Sequence, residues 1–383
     1  MAIESKGERD FRVDFCRGLA LIVIFIDHIP GNPIANFTLR NFGFCDAAEV
    51  FVLISGFSTY LAYASKLDRF GWSGCATAVG RRWLKIYAAH LVLLAGLLAA
   101  TILASRHFVA ADYVEFLRLR WFWDNPRQAL IAALTLSYLP KYLDILPLYL
   151  VLLAAAPFLL ALVKRDWRMA LAISATIYLA AWFSGVNFIE GKDRQGWYFN
   201  PLAWQFLYTI GMVACHLGAT APATLPWNRR WLGVALAFLA FGLVSAAPWN
   251  LTGLVSYYPP FFWWPGDKTF LAPLRLINVL ALFYVFAFFV RPQAPLLRVR
   301  IAAPLLWAGR HSLPVYGVGV VLSCAGYVAV TESNGAPLMH AAVNLLGILI
   351  LLALATLLER NRVMRSRLAP AKAPVLTGHG AAV

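Results

Sequence analysis

About ten apolar stretches, each long enough to cross a bilayer, recur along this 383-residue chain, at 15–31, 46–65, 86–104, 143–163, 169–186, 202–218, 231–247, 271–290, 313–330 and 340–359. Roughly 20 apolar residues span a hydrocarbon core as a helix, and a helix satisfies its own backbone where no water can. With 61% hydrophobic and only 13% charged residues, the composition lies far from that of a soluble domain. The expected fold is all-α, a polytopic integral membrane protein with about ten transmembrane helices in one bundle over residues 1–359. Residues 360–383 read as a basic, Pro- and Ala-rich cytoplasmic tail without apolar patterning, expected to be disordered.

A net charge of +15 would suggest nucleic acid in a soluble chain, but here its distribution decides otherwise. With both termini in the cytoplasm, 23 of the 33 Lys and Arg residues fall on the cytoplasmic side. The excess is therefore a topology signal that faces lipid headgroups, and no nucleic-acid partner is expected. The three acids of the start MAIESKGERDFR and the lack of a small-residue cleavage site after the first apolar run fit an uncleaved anchor. The five cysteines show neither CxxC nor Cys/His ligand spacing, so no disulfide framework or metal site is expected.

Polar side chains concentrate on the first stretch, RVDFCRGLALIVIFIDHIP. Arg17 and His28 are eleven residues apart, which places them on one helix face about 16 Å from each other. A cation and a proton-transfer group thus line up at two depths of a membrane helix, where polar groups are costly and face a protein interior or a wet cavity. A structural histidine with a snorkelling arginine is the plainer alternative. Asp27 sits about 100° round the helix from His28 and cannot bond its ring as a helical neighbour. Glu49, near the start of the second stretch, is the candidate partner that would fix the imidazole's tautomer. Ser55 and Gly56 on the same stretch suit close helix packing.

At the third stretch, GRRWLKIY gathers Arg81, Arg82 and Lys85, either as a phosphate site or as positive-inside anchors. Arg310 in WAGRHSLPVY joins that cationic group. The outer loops are aromatic and polar. Trp121 and Trp123, then Asp144, then Trp197, Asn200, Trp204 and Gln205 form a set suited to a polyhydroxyl ligand or, for the tryptophans, to an aromatic belt. LIAALTLSYLPKY is too short to cross, and YYPPFFWWPGDK repeats the aromatic composition further on.

In this order, RDFRVDFCRGLALIVIFIDHIP, DAAEVFVLISGF, RRWLKIY, DILPLY, FNPLAWQ and GRHSLPVY resemble the OpgC family, membrane succinyltransferases of osmoregulated periplasmic glucans within the broader integral-membrane family-three acyltransferase class. Arg17 and His28 fit that class's Arg-x10-His motif, whereas Lys85 stands where the class has a second arginine. The resemblance implies succinyl-CoA as acyl donor without a metal, a periplasmic glucan as acceptor, and residence in a bacterial inner membrane. It further implies that Arg17, Arg81, Arg82, Lys85 and Arg310 serve the donor and that His28 acts as general base assisted by Glu49 and, less directly, by Asp27. Direct transfer is preferred to an acyl-enzyme. The alternatives are a transporter of an acyl donor or saccharide, and an O-acetyltransferase acting on another envelope saccharide.

Overall fold

The computed structural model describes residues 10–108, 112–191, 195–224, 227–246 and 267–368. Thirteen α-helices occur among them: α1 Phe11–Asp27, α2 Ala47–His107, α3 Tyr113–Phe116, α4 Arg120–Asp124, α5 Pro126–Leu134, α6 Ile145–Arg165, α7 Trp167–Ser184, α8 Pro201–Thr220, α9 Arg229–Ala246, α10 Pro273–Phe289, α11 Ala303–Arg310, α12 Ser312–Glu332 and α13 Pro337–Leu368. A two-stranded hairpin pairs β1 Ile189–Glu190 with β2 Gln195–Gly196. The protein is an all-α membrane protein, and six of the described helices (α2, α6, α8, α9, α12 and α13) are long and apolar enough to cross a bilayer.

Every expected stretch coincides with a helix, but two of them share one element. α2 runs through both 46–65 and 86–104, and it breaks direction at Gly71 with φ 65° and ψ −166°. Only glycine adopts that backbone cheaply, so the chain turns there without uncoiling into the loop that composition suggests. Residues 72–85 stay helical in consequence, and Arg81, Arg82 and Lys85 ride on a helix. The excursion from 105 to 142 is built from the short helices α3, α4 and α5, and α5 is too short to cross, as expected. At the other end α13 continues to Leu368, so the first part of the expected tail is helical. Residues 369–383 lie outside the described ones, as does the third aromatic loop except Asp267 and Lys268.

α1 lies at the middle of the bundle, against α2, α11, α12 and α13. Glycines let the backbones approach. A Cβ on Gly309 would sit 1.8 Å from the Asp14 carbonyl oxygen, and one on Gly18 2.0 Å from that of Leu305, so α1 and α11 touch main chain to main chain. Gly56 and Gly211 do the same for α2 and α8, with 1.9 Å to the Tyr208 oxygen and 2.1 Å to that of Leu53. Membrane helices gain little from burying apolar surface against one another, and this closeness supplies the van der Waals contact instead.

Two buried ion clusters staple the ends of the bundle. In the first, Asp46 and Glu49 open α2 as a reciprocal capping box, with Ala48 N–H on Asp46 at 2.8 Å and Asp46 N–H on Glu49 at 2.9 Å. The remaining oxygens take Lys268 on Asp46 (2.6 Å), Arg275 on Asp46 (3.1 Å) and Arg275 on Glu49 (2.6 Å), which ties α2 to α10. In the second, Arg310 bridges Asp14 (3.2 Å) and Glu359 (2.8 Å), while His311 and Arg362 also donate to Glu359, joining α1, α11 and α13.

Gly309→Val is expected to cost at least about 2–3 kcal/mol by overpacking the α1–α11 contact, read as a lowered thermal midpoint in detergent. Arg275→Gln is expected to cost about 3–5 kcal/mol because it strands the fully buried Glu49 carboxylate, and the double variant Arg275→Gln with Glu49→Gln is expected to recover part of that loss in the same assay.

Candidate active site

α1 ends where Pro30, Gly31 and Pro33 break the helical run, and His28 is its C-cap. That end is fixed to α13 by a reciprocal amide pair between Asn32 and Asn344 (2.9 and 3.0 Å), while Asn32 also donates to the Ile26 carbonyl. The Nδ1 of His28 lies 2.5 Å from the Ile24 carbonyl oxygen. A carbonyl can only accept, so in the neutral ring Nδ1 carries the hydrogen and Nε2 keeps the lone pair. Tyr142 holds the histidine from the far side. Its hydroxyl donates to the His28 carbonyl (2.8 Å) and its ring meets the imidazole edge-on at 5.0 Å between centroids. Tyr142 itself has φ 72°, a left-handed backbone rare for a residue with a side chain, and its carbonyl accepts from the Tyr316 hydroxyl (2.9 Å).

His28 lines a cavity of about 220 Å³ together with Asp27, Arg40, Asp46, Tyr142, Asp144, Tyr198, Phe199 and Lys268. A second cavity of the same size is lined by Arg17, Ser55, Ser58, Tyr63, Arg82 and Tyr149 among others. The two adjoin, sharing Ile24, Ile145 and Tyr316 as wall. The face of α1 that carries Arg17 and His28 therefore borders both. Arg17 donates to the Ser58 hydroxyl (2.5 Å) at one end of this double cavity, and His28 lines the other.

Several expected residues stand elsewhere. Glu49 makes no hydrogen bond to His28, being held by Arg275 and the Asp46 backbone, and the tautomer is set by a main-chain carbonyl instead. Asp27 lines the His28 cavity, accepting from Thr38 at 2.6 Å with Arg40 at 3.8 Å. Of the cationic group only Arg17 and Arg82 reach the second cavity. Arg81 and Lys85 are exposed on α2, and Arg310 is engaged by Asp14 and Glu359.

The aromatic and amide set divides in the same way. Asn200 is the N-cap of α8, accepting from Leu202 and donating to Val186. Trp204 is buried and gives its indole N–H to the carbonyls of Lys268 and Thr269. Gln205 clamps Ser174 of α7, and Trp197 packs edge-on against Phe188. Trp121 meets Tyr138, and Trp123 is exposed. None of these six lines either cavity, and of the predicted set only Asp144 does. Trp204 nevertheless acts on the cavity at one remove, because the backbone it holds carries Lys268.

The polar and aromatic residues of the His28 cavity that sequence reasoning missed are Arg40, Asp46, Tyr142, Tyr198, Phe199, Lys268 and Tyr316. Tyr198 and Phe199 sit in the same GWYFNPLAW run as the expected residues, and a tryptophan outranks a tyrosine when composition alone is weighed. Outside the apolar stretches, burial lowers the affinity of the Lys268 amine for its proton, but Asp46 and Glu49 more than restore it, so the ammonium form is favoured above its ordinary range. Burial pushes the Glu190 carboxyl in the hairpin up, against the opposing pull of Arg118 at 2.7 Å.

No curated protein and no solved structure is detectably similar to this chain. The family model described as OpgC protein, by contrast, matches residues 9–363, which include both cavities and nearly every helix. The chain therefore belongs to the OpgC family, and it is a membrane-embedded acyltransferase of the glucan-modifying kind.

Proposed function

We propose that this protein moves a succinyl group from cytoplasmic acyl-CoA to a hydroxyl of a periplasmic glucan across a bacterial inner membrane, both of its termini being cytoplasmic. The observation that carries the proposal is the pair of adjoining cavities along α1, one bearing Arg17 and Arg82 and the other His28. The donor's phosphates stay at the Arg17 end, where Arg82 and Arg17 supply charge-assisted hydrogen bonds. Its pantetheine arm passes Ser58 and Tyr63 and brings the thioester to the wall formed by Ile24, Ile145 and Tyr316. From the His28 cavity the acceptor hydroxyl approaches. Nε2 of His28 takes its proton as the oxygen bonds to the thioester carbon, and the C–S bond then breaks. The imidazolium returns the proton to the departing thiolate, so the cycle closes with an ester, free CoA and a neutral ring.

The hydrogen bond from Nδ1–H to the Ile24 carbonyl supports this role, because it orients the ring and stabilises the charge gained at Nε2. Asp27 and Asp46, both carboxylates of the same cavity, add negative potential beside the imidazolium.

His28→Gln is expected to lower transfer by about 10²–10⁴-fold with the protein still folded and still binding donor, read as loss of anionic glucan on ion-exchange chromatography with the amount of glucan unchanged. Full succinylation by that variant would exclude His28 as the base. Arg82→Ala is expected to raise the donor KM about tenfold or more and to leave the acceptor KM near its original value. A change confined to the acceptor would contradict a phosphate site at Arg82.

A further inference from the structure

The His28 cavity contains one polar group that the fold leaves unsatisfied. Asp144 stands at the N-cap of α6, where an aspartate ordinarily accepts from the first-turn N–H groups, yet its side chain makes no cap bond. Asp46 and Asp166, at the N-caps of α2 and α7, do make theirs, at 2.8 Å each to Ala48 and Arg168. Asp144 is instead one of the residues that line the cavity. Its Oδ1 is sealed from solvent and has no hydrogen-bond partner among the described residues. Such an oxygen is a standing demand for a donor.

The surrounding cations have other partners. Lys268 is on Asp46 at 2.6 Å, Arg118 is on Glu190 at 2.7 Å, Arg40 lies beside Asp27, and Lys141 sits over the Phe116 ring at 3.5 Å. A ligand hydroxyl in the cavity would supply the donor. The rings of Tyr142, Tyr198 and Phe199 in the same wall suit the C–H faces of a pyranose, which makes a sugar the fitting source of that hydroxyl. Asp144 is also fixed relative to the base. Two residues before it, Tyr142 donates to the His28 carbonyl and stacks edge-on against the imidazole, with its own left-handed backbone pinned by Tyr316.

We propose that Asp144 is a positioning residue for the acceptor, holding a second hydroxyl of the same sugar ring whose first hydroxyl His28 deprotonates. The assignment rests on the acyl-transfer function proposed above and adds a specificity to it: the enzyme requires a polyhydroxyl ring and rejects an isolated alcohol. No bond is made or broken at Asp144, which only accepts a hydrogen bond.

The test uses the full-length protein in detergent with succinyl-CoA as donor, and with methyl glucoside and its monodeoxy derivatives as acceptors. With the original enzyme, one derivative that retains the acylated hydroxyl is expected to lose about tenfold or more in kcat/KM, because the site's carboxylate is left without its donor. In Asp144→Ala, which removes the acceptor, that derivative and the parent glucoside should become nearly equal, through a higher KM for the parent, while the donor KM stays put. Asp144→Glu, which retains the carboxylate, should restore part of the discrimination, as a purely structural role would not. An original enzyme that treats every monodeoxy acceptor alike overturns the assignment, and so does an Asp144→Ala protein that retains the full penalty. Failure of the original enzyme to acylate any glucoside or glucan strikes instead at the acyl-transfer function itself.

Discussion

The Nδ1–H of His28 is donated to the carbonyl of Ile24, one turn back along its own helix, and the proposed chemistry depends on that contact. An imidazole in a protein interior accepts a proton usefully only if its other nitrogen already has a settled partner. A carboxylate partner would add a buried charge to be balanced. A helix carbonyl near the C-terminus of α1 brings the negative end of the helix dipole without that burden. The same oxygen also accepts the His28 backbone N–H at 3.0 Å, so main chain and ring of one residue converge on one carbonyl at the end of the helix, just before the prolines that stop it.

The neighbouring elements can be understood from what this arrangement requires. A helix with Arg12, Asp14, Arg17, Asp27 and His28 cannot face lipid, so it is enclosed by α2, α11, α12 and α13. Enclosure by large side chains alone would leave the helices too far apart to hold one another. The Gly18 and Gly309 contacts bring α11 onto α1, and the Gly56 and Gly211 contacts bring α8 onto α2. Where the backbones do not touch, on the α6 and α12 side, the double cavity opens around Ile145 and Tyr316. Close packing on one flank and open space on the other follow from where the small residues are.

Much of this was legible in the sequence, because period and length carry it. The helices, the shared face of Arg17 and His28, the packing role of Gly56 and the place of Arg82 on a helix face with Lys85 follow from spacings within single segments. What was not legible depends on which loop meets which helix end. Glu49 lies at a depth suited to His28, but Arg275, 226 residues further on, claims it. Trp204 and Asn200 have the chemistry of sugar binders, yet the helix they begin must be capped and the Lys268 segment must be held, and those local needs take them. Composition cannot rank such rival uses of a polar group. Asp144 shows the converse, since a capping position was available and was not taken.

The distribution of charge along the double cavity bears on its polarity. The Arg17 end is lined by two cations, Arg17 and Arg82, and by no carboxylate among the described residues. The His28 end is lined by three carboxylates, Asp27, Asp46 and Asp144, against two cations, Arg40 and Lys268. In surroundings of low dielectric such a gradient acts over the whole length of the shaft. On the proposed function, a donor whose one end is a cluster of phosphates and whose other end is a compact acyl group is then oriented before it is bound, phosphates toward the arginines. A neutral polyol, which responds to hydrogen-bonding groups more than to net potential, is free to occupy the end the phosphates avoid. On the proposed mechanism the arginine end therefore holds the phosphates, and the His28 end is left to the acceptor.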